Sequence, residues 1–384
     1  MKILAIETSC DETSCAVVEN GRRVLANVIS SQIDLHAKTG GVVPEVAARE
    51  HVLKMIPVLE ETLEVSGCGW EDIDAVAVTQ GPGLVSSLII GTETANVISY
   101  VKGLPLITVQ HIVGHIYSNW LVGEGRGDVE PKFPLLILTV SGGHNDLILM
   151  KDHFKFEVLG ETRDDAAGEA FDKVAKILGL GYPGGPAISK IAVEGDENAF
   201  KLPKIYLDKD SFDFSFSGLK TAVFYEVKNF IKKHGIKDEY GIPHKFKADL
   251  AASFQKTAVE VLSDKLIAAA AKYPVKEIHL AGGVSANRKL RQVCAEKITK
   301  IFPKIKFRFP ATIPFCTDNA AMIAAAAYYS FKKFPTKFKP KSNIIPATSF
   351  NLFGQWFPIL RELPPFLILT NSNFNQIICH LAPN

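Results

Sequence analysis

The feature that most constrains the fold of this chain is a strand–turn–strand pattern that opens each of its halves. Residues 2–7 and 15–19 are predicted strands around a polar turn, and residues 135–140 and 147–150 repeat that arrangement. Predicted strands and helices alternate after both hairpins, which is typical of an α/β protein. The simplest architecture is therefore a duplicated α/β unit with a cleft between its two lobes.

The composition is that of a globular protein with ample core. The chain has 384 residues, 47% hydrophobic and 22% charged, which is enough for about two domains of ordinary size. Because 43 basic residues nearly balance 41 acidic ones, any contact with nucleic acid must be a local patch. No signal peptide or apolar run of about 20 residues is present, and the cysteines occur singly. A reducing cytoplasm and no membrane association are expected.

The predicted domain limits follow the same elements. An N-terminal lobe spans residues 1–125, and a C-terminal lobe spans residues 131–330 with a helical insertion at about 160–272. A final helix at 318–334 is expected to pack back on the N-terminal lobe. Residues 335–384, where lysines and aromatics precede a stretch rich in Pro, Asn and Phe, are predicted to form a poorly ordered tail.

His111 and His115 are the clearest candidates for metal ligands. They are four residues apart on a predicted helix, so both imidazoles can reach one ion. The helix follows a predicted buried strand, and open α/β sheets build their sites at that edge. An isolated His-x-x-x-His pair is, however, about as often two polar residues on a half-buried helix as it is a metal site. Ile112 stands where zinc proteases of the His-Glu-x-x-His class need Glu, which argues against that class.

Three turns have the residue types that suit a phosphate. Residues 8–13 offer hydroxyls and the carboxylates of Asp11 and Glu12, while residues 141–144 and 281–288 offer glycines and backbone amides. Each turn alone is weak evidence for phosphate binding, because glycine turns after strands are common. Their number and order favour nucleotide binding and resemble the duplicated RNase H-like superfold of actin, heat-shock chaperones and sugar kinases. Fold alone does not give the reaction.

A carboxylate to complete a metal site is harder to choose. Asp318 begins a predicted Ala-rich helix, where the ordinary interpretation is an N-cap. Two histidines and one carboxylate would, however, form the facial triad suited to Fe²⁺, with zinc as a close competitor. Glu169 and Asp172 lie on one face of another predicted helix, just before a rigid Pro-Gly-Gly-Pro turn of the kind that borders clefts.

Taken together, these segments resemble the tRNA threonylcarbamoyltransferase family over roughly residues 1–345. The matching segments are Ile6-Glu-Thr-Ser-Cys-Asp-Glu-Thr, Gly41-Val-Val-Pro-Glu-Val-Ala-Ala-Arg, Gly81-Pro-Gly-Leu, His111-x-x-x-His115, Val140-Ser-Gly-Gly-His, Gly168-Glu-Ala-Phe-Asp-Lys, Tyr182-Pro-Gly-Gly-Pro, Phe214-Ser-Phe-Ser-Gly-Leu-Lys-Thr-Ala-Val, Ala281-Gly-Gly-Val-Ser-Ala-Asn-Arg and Cys316-Thr-Asp-Asn-Ala-Ala-Met. Gln110 and Val113 depart from this pattern, because the family commonly has His and Glu beside the metal histidines. That changes the surroundings of the ligands and leaves the ligands themselves intact.

The resemblance implies an enzyme that moves threonylcarbamoyl from threonylcarbamoyl-AMP to the exocyclic amine of the adenosine 3′ of the anticodon, in tRNAs reading ANN codons. It implies one metal ion, usually iron, on His111, His115 and Asp318. It implies that the adenylate is held by Thr139, Val140, Ser141, Gly142, Gly143, Asp172, Gly185 and Asn287. A paralogous scaffold subunit and a small ATPase are the implied protein partners. Asp11 and Glu12 are both possible proton acceptors, and the sequence does not choose between them.

Three alternative functions make different predictions. A kinase of the same superfold would bind Mg-ATP and leave the two histidines without a role. A non-catalytic scaffold of a tRNA-modification complex would lack the His-x-x-x-His pair that this chain retains. A carbamoyltransferase that uses carbamoyl phosphate carries this unit within a longer chain.

Overall fold

The computed structural model describes most of the chain before residue 348. The described residues are 1–122, 129–207, 211–338 and 344–347. Within the predicted tail, residues 339–343 and 348–384 lie outside the described residues. In the part that is described, no helix combines the length and apolar character that a bilayer span requires.

The first lobe is built on a five-stranded mixed sheet. Its strands are β1 (Lys2–Glu7), β2 (Glu12–Glu19), β3 (Arg23–Ser31), β4 (Ala75–Gly81) and β5 (Leu106–Gln110). They lie in the order β3-β2-β1-β4-β5, with β1 antiparallel to β2 and parallel to β4. Residues 3–6 of β1 are fully buried, as expected for a central strand covered on both faces.

The second lobe repeats this sheet strand for strand. Its strands are β6 (Leu135–Val140), β7 (Asn145–Asp152), β8 (Lys155–Gly160), β9 (Glu277–Ala281) and β10 (Lys306–Arg308). The order is β10-β9-β6-β7-β8, with β6 antiparallel to β7 and parallel to β9. Because β6 corresponds to β1 and β9 to β4, the two sheets have equal order and direction. This equivalence is the duplication that the two hairpins predict.

Helices cover both sheets. The N-terminal half contributes α1 (Ile33–Ala37), α2 (Pro44–Ser66), α3 (Val85–Lys102) and α4 (His111–Tyr117). The second half contributes α5 (Ala167–Ile177), α6 (Gly184–Ala192), α7 (Ser217–His234), α8 (His244–Lys272), α9 (Arg288–Ile301) and α10 (Ala320–Lys333). Separate apolar cores lie in the two lobes, one around Ile6 and Val76 and the other around Leu136 and Phe254.

Helix α10 comes late in the chain but packs on the first lobe, against α4, β1 and β2. Residues 320–327 are all buried, and six of them are alanine, which lets the helix approach closely. Gly114 in α4 makes this approach possible, because a Cβ there would lie 2.7 Å from Ile323 Cδ1. The N-terminus of α10 is fixed to the first sheet by a hydrogen bond from the Ala320 amide to Ser14 Oγ.

Candidate active site

The structure brings His111, His115 and Asp318 into one cluster. Both histidines lie on α4, directly after β5, and Asp318 precedes α10, which packs on α4. His111 Nε2 is 3.5 Å and His115 Nε2 is 3.2 Å from the same oxygen, Asp318 Oδ1. One ligand atom from each residue lies within 4.8 Å of the others. The i, i+4 spacing and the packing of α10 together produce this arrangement.

Asp318 is free for this role because it is not the helix cap. The N-cap interpretation of Asp318 is wrong: the capping residue of α10 is Asn319, whose Oδ1 accepts a hydrogen bond from the Met322 amide at 3.1 Å. Asn is as good an N-cap as Asp. Similarly, Gln110 caps α4 by accepting from the Val113 amide at 2.9 Å, so this departure from the family pattern helps to start the histidine helix.

The charges in the cluster are strongly coupled. Burial lowers the pKa of His111, but the carboxylates of Asp318 and Glu7 outweigh burial and raise it to about 9. Burial raises the pKa of Asp318, but His111 and His115 outweigh burial and lower it to about 2. The pKa of His115 is lowered, mainly by burial. The cluster therefore holds a partly buried, ionised carboxylate on Asp318 together with the buried, neutral imidazole of His115.

This cluster fits a divalent metal ion. His115 is buried, its Nδ1 has no hydrogen-bond partner within the described residues, and its Nε2 lies 3.2 Å from Asp318 Oδ1. Burying an imidazole with so little compensation is costly, and a cation would supply the ring with a partner. Two imidazoles and a carboxylate are the donor set of non-haem Fe²⁺ and of catalytic Zn²⁺ sites.

Glu7 is a residue of this site that the sequence argument missed. It is the last residue of β1, it is completely buried, and its Oε2 lies 3.4 Å from His111 Nδ1. Burial raises the pKa of Glu7, but the charge of His111 and hydrogen bonds outweigh burial and lower it. A carboxylate at the end of an otherwise apolar strand is the signal that could have found it.

The second hairpin turn is open to a ligand. Thr139 and Val140 are buried in β6, whereas Gly142 and Gly143 are exposed, and a Cβ on either glycine would meet nothing within 4 Å. The Gly142 carbonyl accepts a hydrogen bond from the Glu169 amide at 3.0 Å, which ties the turn to the start of α5. The turn therefore presents accessible backbone beside a helix N-terminus, an arrangement that favours anions.

The turn after β9 packs against this hairpin. Gly282 has φ +82°, and a Cβ there would lie 2.5 Å from the Val140 carbonyl oxygen. Asn287 follows and caps α9 by accepting from the Leu290 amide at 3.0 Å. Its amide nitrogen donates to Ser189 Oγ and Gln255 Oε1, so Asn287 links three helices. Both the oxygen and the nitrogen of the Asn287 side-chain amide are thus hydrogen-bonded within the protein.

Asp172 and the glycines of α6 form the adjoining wall. Asp172 Oδ1 accepts a hydrogen bond from the Gly184 amide at 2.7 Å, which joins α5 to the start of α6. A Cβ on Gly185 would meet nothing within 4 Å, so its backbone is approachable. Burial raises the pKa of Asp172, the Gly184 and Gly185 amides lower it, and the negative charge of Asp11 raises it further. Asp11 of the first lobe therefore lies within electrostatic reach of Asp172 of the second.

The hairpin of β1 and β2 carries two carboxylates, Asp11 and Glu12, on the same lobe as the histidine cluster. Asp11 is almost fully buried, and Glu12 Oε1 accepts a hydrogen bond from Ser31 Oγ at 3.2 Å. Burial, and then the negative charges of Asp318 and Asp11, raise the pKa of Glu12 well above its ordinary value. Glu12 thus lies within electrostatic reach of Asp318 in the histidine cluster, and Asp11 lies within reach of Glu12.

His144 is a second residue that the sequence argument did not select. It closes the turn of the second hairpin, where its carbonyl oxygen accepts from the Ser141 amide at 2.8 Å. His144 is exposed, yet partial desolvation by neighbouring atoms, and then the charges of His111 and His115, lower its pKa. A ring from the second lobe therefore lies within electrostatic reach of the cluster on the first.

The fold and the site define a two-lobed α/β protein with a histidine–carboxylate cluster beside three turns suited to phosphate. A solved structure of full-length HypF in its phosphate- and nucleotide-bound form has a similar fold, with a TM-score of 0.55, 15% identity, 87% of this chain and 46% of that chain covered. This likeness concerns the fold alone. With the equal order of the two sheets, it confirms the predicted duplicated fold class.

Sequence comparison identifies the family. The family model for tRNA N6-adenosine threonylcarbamoyltransferase matches residues 23–325. A relative of that name from Thermomicrobium roseum is 51% identical over 342 residues, covering 86% of this chain and 92% of the relative. Another, from Clostridium perfringens strain SM101, is 52% identical over 331 residues, covering 86% and 93%. The chain therefore belongs to the tRNA N6-adenosine threonylcarbamoyltransferase family.

The family resemblance seen in the sequence is thus confirmed, and with it the interpretation of the chain as an acyltransferase. The kinase, scaffold and carbamoyl phosphate alternatives are not favoured. The identity of the metal, the roles of the individual site residues and the protein partners stay predictions.

Proposed function

We propose that this enzyme transfers the threonylcarbamoyl group of threonylcarbamoyl-AMP to the exocyclic amine of the adenosine 3′ of the anticodon in tRNAs that read ANN codons. The reaction releases AMP, and a cytoplasmic location follows from the tRNA substrate. The observation that carries the proposal is the convergence of His111, His115 and Asp318 in a chain that belongs to this family. Without that cluster, the fold would serve a kinase equally well.

The metal site is part of this proposal. We assign one ion, Fe²⁺ with Zn²⁺ as competitor, to His111, His115 and Asp318, because the donor set suits both. When bound, the ion supplies positive charge that stabilises negative charge developing on phosphate or carbonyl oxygens. Because His111 and His115 are both assigned to the metal ion, the protein is not proposed to act as a peptidase.

We assign the adenylate to the second lobe. Residues 139–143, which comprise Thr139, Val140, Ser141, Gly142 and Gly143, would approach the phosphate with backbone amides, because the two glycines leave open space. Gly185 offers a second approachable backbone segment, and Asp172 beside it can accept hydrogen bonds from hydroxyl groups. Asn287 would act mainly by fixing the turn, since its amide is engaged.

The chemical step is attack by the adenosine amine on the carbamoyl carbon. A carbon–nitrogen bond forms, the bond from that carbon to the phosphate oxygen breaks, and AMP leaves with the electron pair. The amine loses one proton, for which Asp11 and Glu12 are the candidate acceptors. Because an aromatic amine is a weak nucleophile, alignment of the two substrates supplies much of the acceleration.

The tRNA needs a local basic surface, because the chain is nearly neutral. Helix α7 offers one: Lys228 and Lys232 are exposed along the helix, and Phe224 and Tyr225 are 46% and 55% exposed beside them. Lysines can pair with the phosphate backbone, and exposed aromatic rings can stack on unpaired bases of a loop. This combination supports α7 as a tRNA contact.

The proposed scaffold partner would cover an apolar surface of the first lobe. Helices α2 and α3 pack together, and between them they expose large apolar side chains, each more than half accessible: Val52, Leu53, Ile56, Val65, Val97, Tyr100 and Val101. A concentration of apolar groups on two adjacent helices marks a protein interface more often than ordinary surface.

The test is transfer to tRNA by purified protein. The protein is given threonylcarbamoyl-AMP and unmodified tRNA, with and without a paralogous scaffold and small ATPase, and the digested tRNA is examined by mass spectrometry. We expect a threonylcarbamoyl group on the adenosine beside the anticodon, and none on a tRNA in which that base is guanosine. If the metal-loaded protein modifies no tRNA in either run, or instead phosphorylates a small acceptor from ATP, the proposal is wrong.

A further inference from the structure

Glu7 is buried beside the metal cluster without being one of its ligands. It ends β1, and its side chain is fully enclosed. Burying a carboxylate in this way is costly unless hydrogen bonds compensate it. Its position therefore needs an explanation that packing does not give.

The carboxylate of Glu7 is held in one orientation by two donors. Oε1 accepts a hydrogen bond from the Ser9 amide at 2.6 Å, and Oε2 accepts a short one from the Thr79 hydroxyl at the end of β4. Both bonds favour the ionised, accepting form of the carboxylate. A carboxylate fixed in this way can in turn fix a donor that points at it.

The donor that points at it is His111. His111 Nδ1 lies 3.1 Å from Ser9 Oγ and 3.4 Å from Glu7 Oε2, while Nε2 points to Asp318. A neutral imidazole carries its proton on one nitrogen and its lone pair on the other. When His111 binds a metal ion it must be neutral, and with acceptors at Nδ1 the proton stays there while the lone pair of Nε2 faces the cluster.

We propose that Glu7 is a positioning residue that, together with Ser9, holds His111 in the Nδ1-protonated tautomer and so presents Nε2 to the metal ion. This inference rests on the proposed function only in taking the cluster to bind a metal. Carboxylates that accept from the second nitrogen of a metal histidine fix its orientation and raise its basicity. Their loss typically weakens metal binding by about 10- to 100-fold.

The test measures metal affinity rather than turnover. Full-length protein loaded with Co²⁺, as a spectroscopic probe, is titrated with a competing chelator, and the Co²⁺ absorption spectrum is recorded. Glu7→Gln keeps the shape of the side chain but weakens the acceptor, so we expect about 10-fold weaker binding and a shifted spectrum. Glu7→Ala should weaken binding further. Thr79→Val, which removes only the hydroxyl that orients Glu7, should have a smaller effect.

The matched control is Glu19→Gln, at the far end of β2, where the carboxylate pairs with the exposed Arg23. It should bind Co²⁺ as the wild type does. Wild-type affinity and spectrum in a folded Glu7→Gln variant would overturn the proposal, as would an effect confined to Ser9→Ala. A folded wild type that binds no Co²⁺ would overturn both this inference and the metal assignment. Failure of tRNA transfer with Co²⁺ bound would count against the proposed function alone.

Discussion

Replacing Gly282 by alanine should damage the adenylate site, whereas the same change at Gly283 should not. Gly282 has φ +82° and ψ 167°, a region that is essentially restricted to glycine. A Cβ at this position would lie 2.5 Å from the Val140 oxygen and 2.8 Å from the Val140 carbonyl carbon. Both contacts are with backbone, so a rotamer change cannot relieve them.

Two costs set the size of the effect: the strained backbone conformation of residue 282 and the clash of the added Cβ with Val140. A residue held in such a sparsely populated backbone region costs about 1–3 kcal/mol. Forcing an extra methyl group into a packed position costs about 1–3 kcal/mol more. We therefore expect Gly282→Ala to lower the free energy of unfolding by about 2–6 kcal/mol. A Cβ at Gly283 meets nothing within 4 Å, so Gly283→Ala should be neutral or stabilising by at most about 1 kcal/mol.

Two measurements check this prediction. Urea denaturation gives the free energy of unfolding of both variants, and calorimetry gives their affinity for AMP. Because Val140 leads directly into the Ser141–Gly143 turn, relief of the clash should displace that turn and weaken AMP binding in Gly282→Ala only. If the two variants differ by less than 1 kcal/mol and bind AMP alike, then the assumed packing of these two turns is wrong.

Three further predictions concern charge. Burial raises the pKa of Glu277, but His279 and Arg308 outweigh burial and lower it to about 2. The ionised Glu277 carboxylate therefore contributes to the free energy of unfolding above about pH 4.5, and this contribution is lost as the pH falls toward 2. The free energy of unfolding of wild type relative to Glu277→Gln should therefore fall by about 2 kcal/mol between pH 7 and pH 3 in urea titrations. His115→Ala should lose bound metal by elemental analysis while His244→Ala, at an exposed position, keeps it. Replacing Lys228 and Lys232 by alanine should reduce the slope of log tRNA affinity against log salt by roughly 1.5–2, whereas unchanged slopes would remove α7 from the interface.

The parts of this protein that local sequence specifies could be predicted well. The two hairpins follow from apolar strands around polar turns, and the histidine pair follows from helical spacing. Strands β3 and β8 were not predicted, because both are edge strands with mostly half-buried residues and little apolar alternation. Their positions depend on pairing with β2 and β7 rather than on their own pattern.

The partners of the histidines could not be found by local reasoning. Asp318 and Asn319 are adjacent and both are good N-cap residues, so sequence alone does not say which one caps α10. The structure decides, because Asn319 bonds Met322 and leaves Asp318 directed at His111 and His115. Glu7 contacts His111 across more than 100 positions of sequence, and such contacts carry no local periodicity.

Because α10 follows the rest of the first lobe by many residues, it determines when that lobe can finish folding during synthesis. Sheet strands β1 and β2 and helix α4 leave the ribosome early, but the helix that covers them starts at Ala320. About 200 residues separate α4 from α10, which at roughly 5–20 residues per second amounts to about 10–40 s of synthesis. During that interval the first lobe has an uncovered apolar face and lacks Asp318. A chain that is interrupted before α10 can therefore neither complete its first lobe nor assemble the His–His–Asp cluster, so both must wait until Asp318 and α10 have been synthesised.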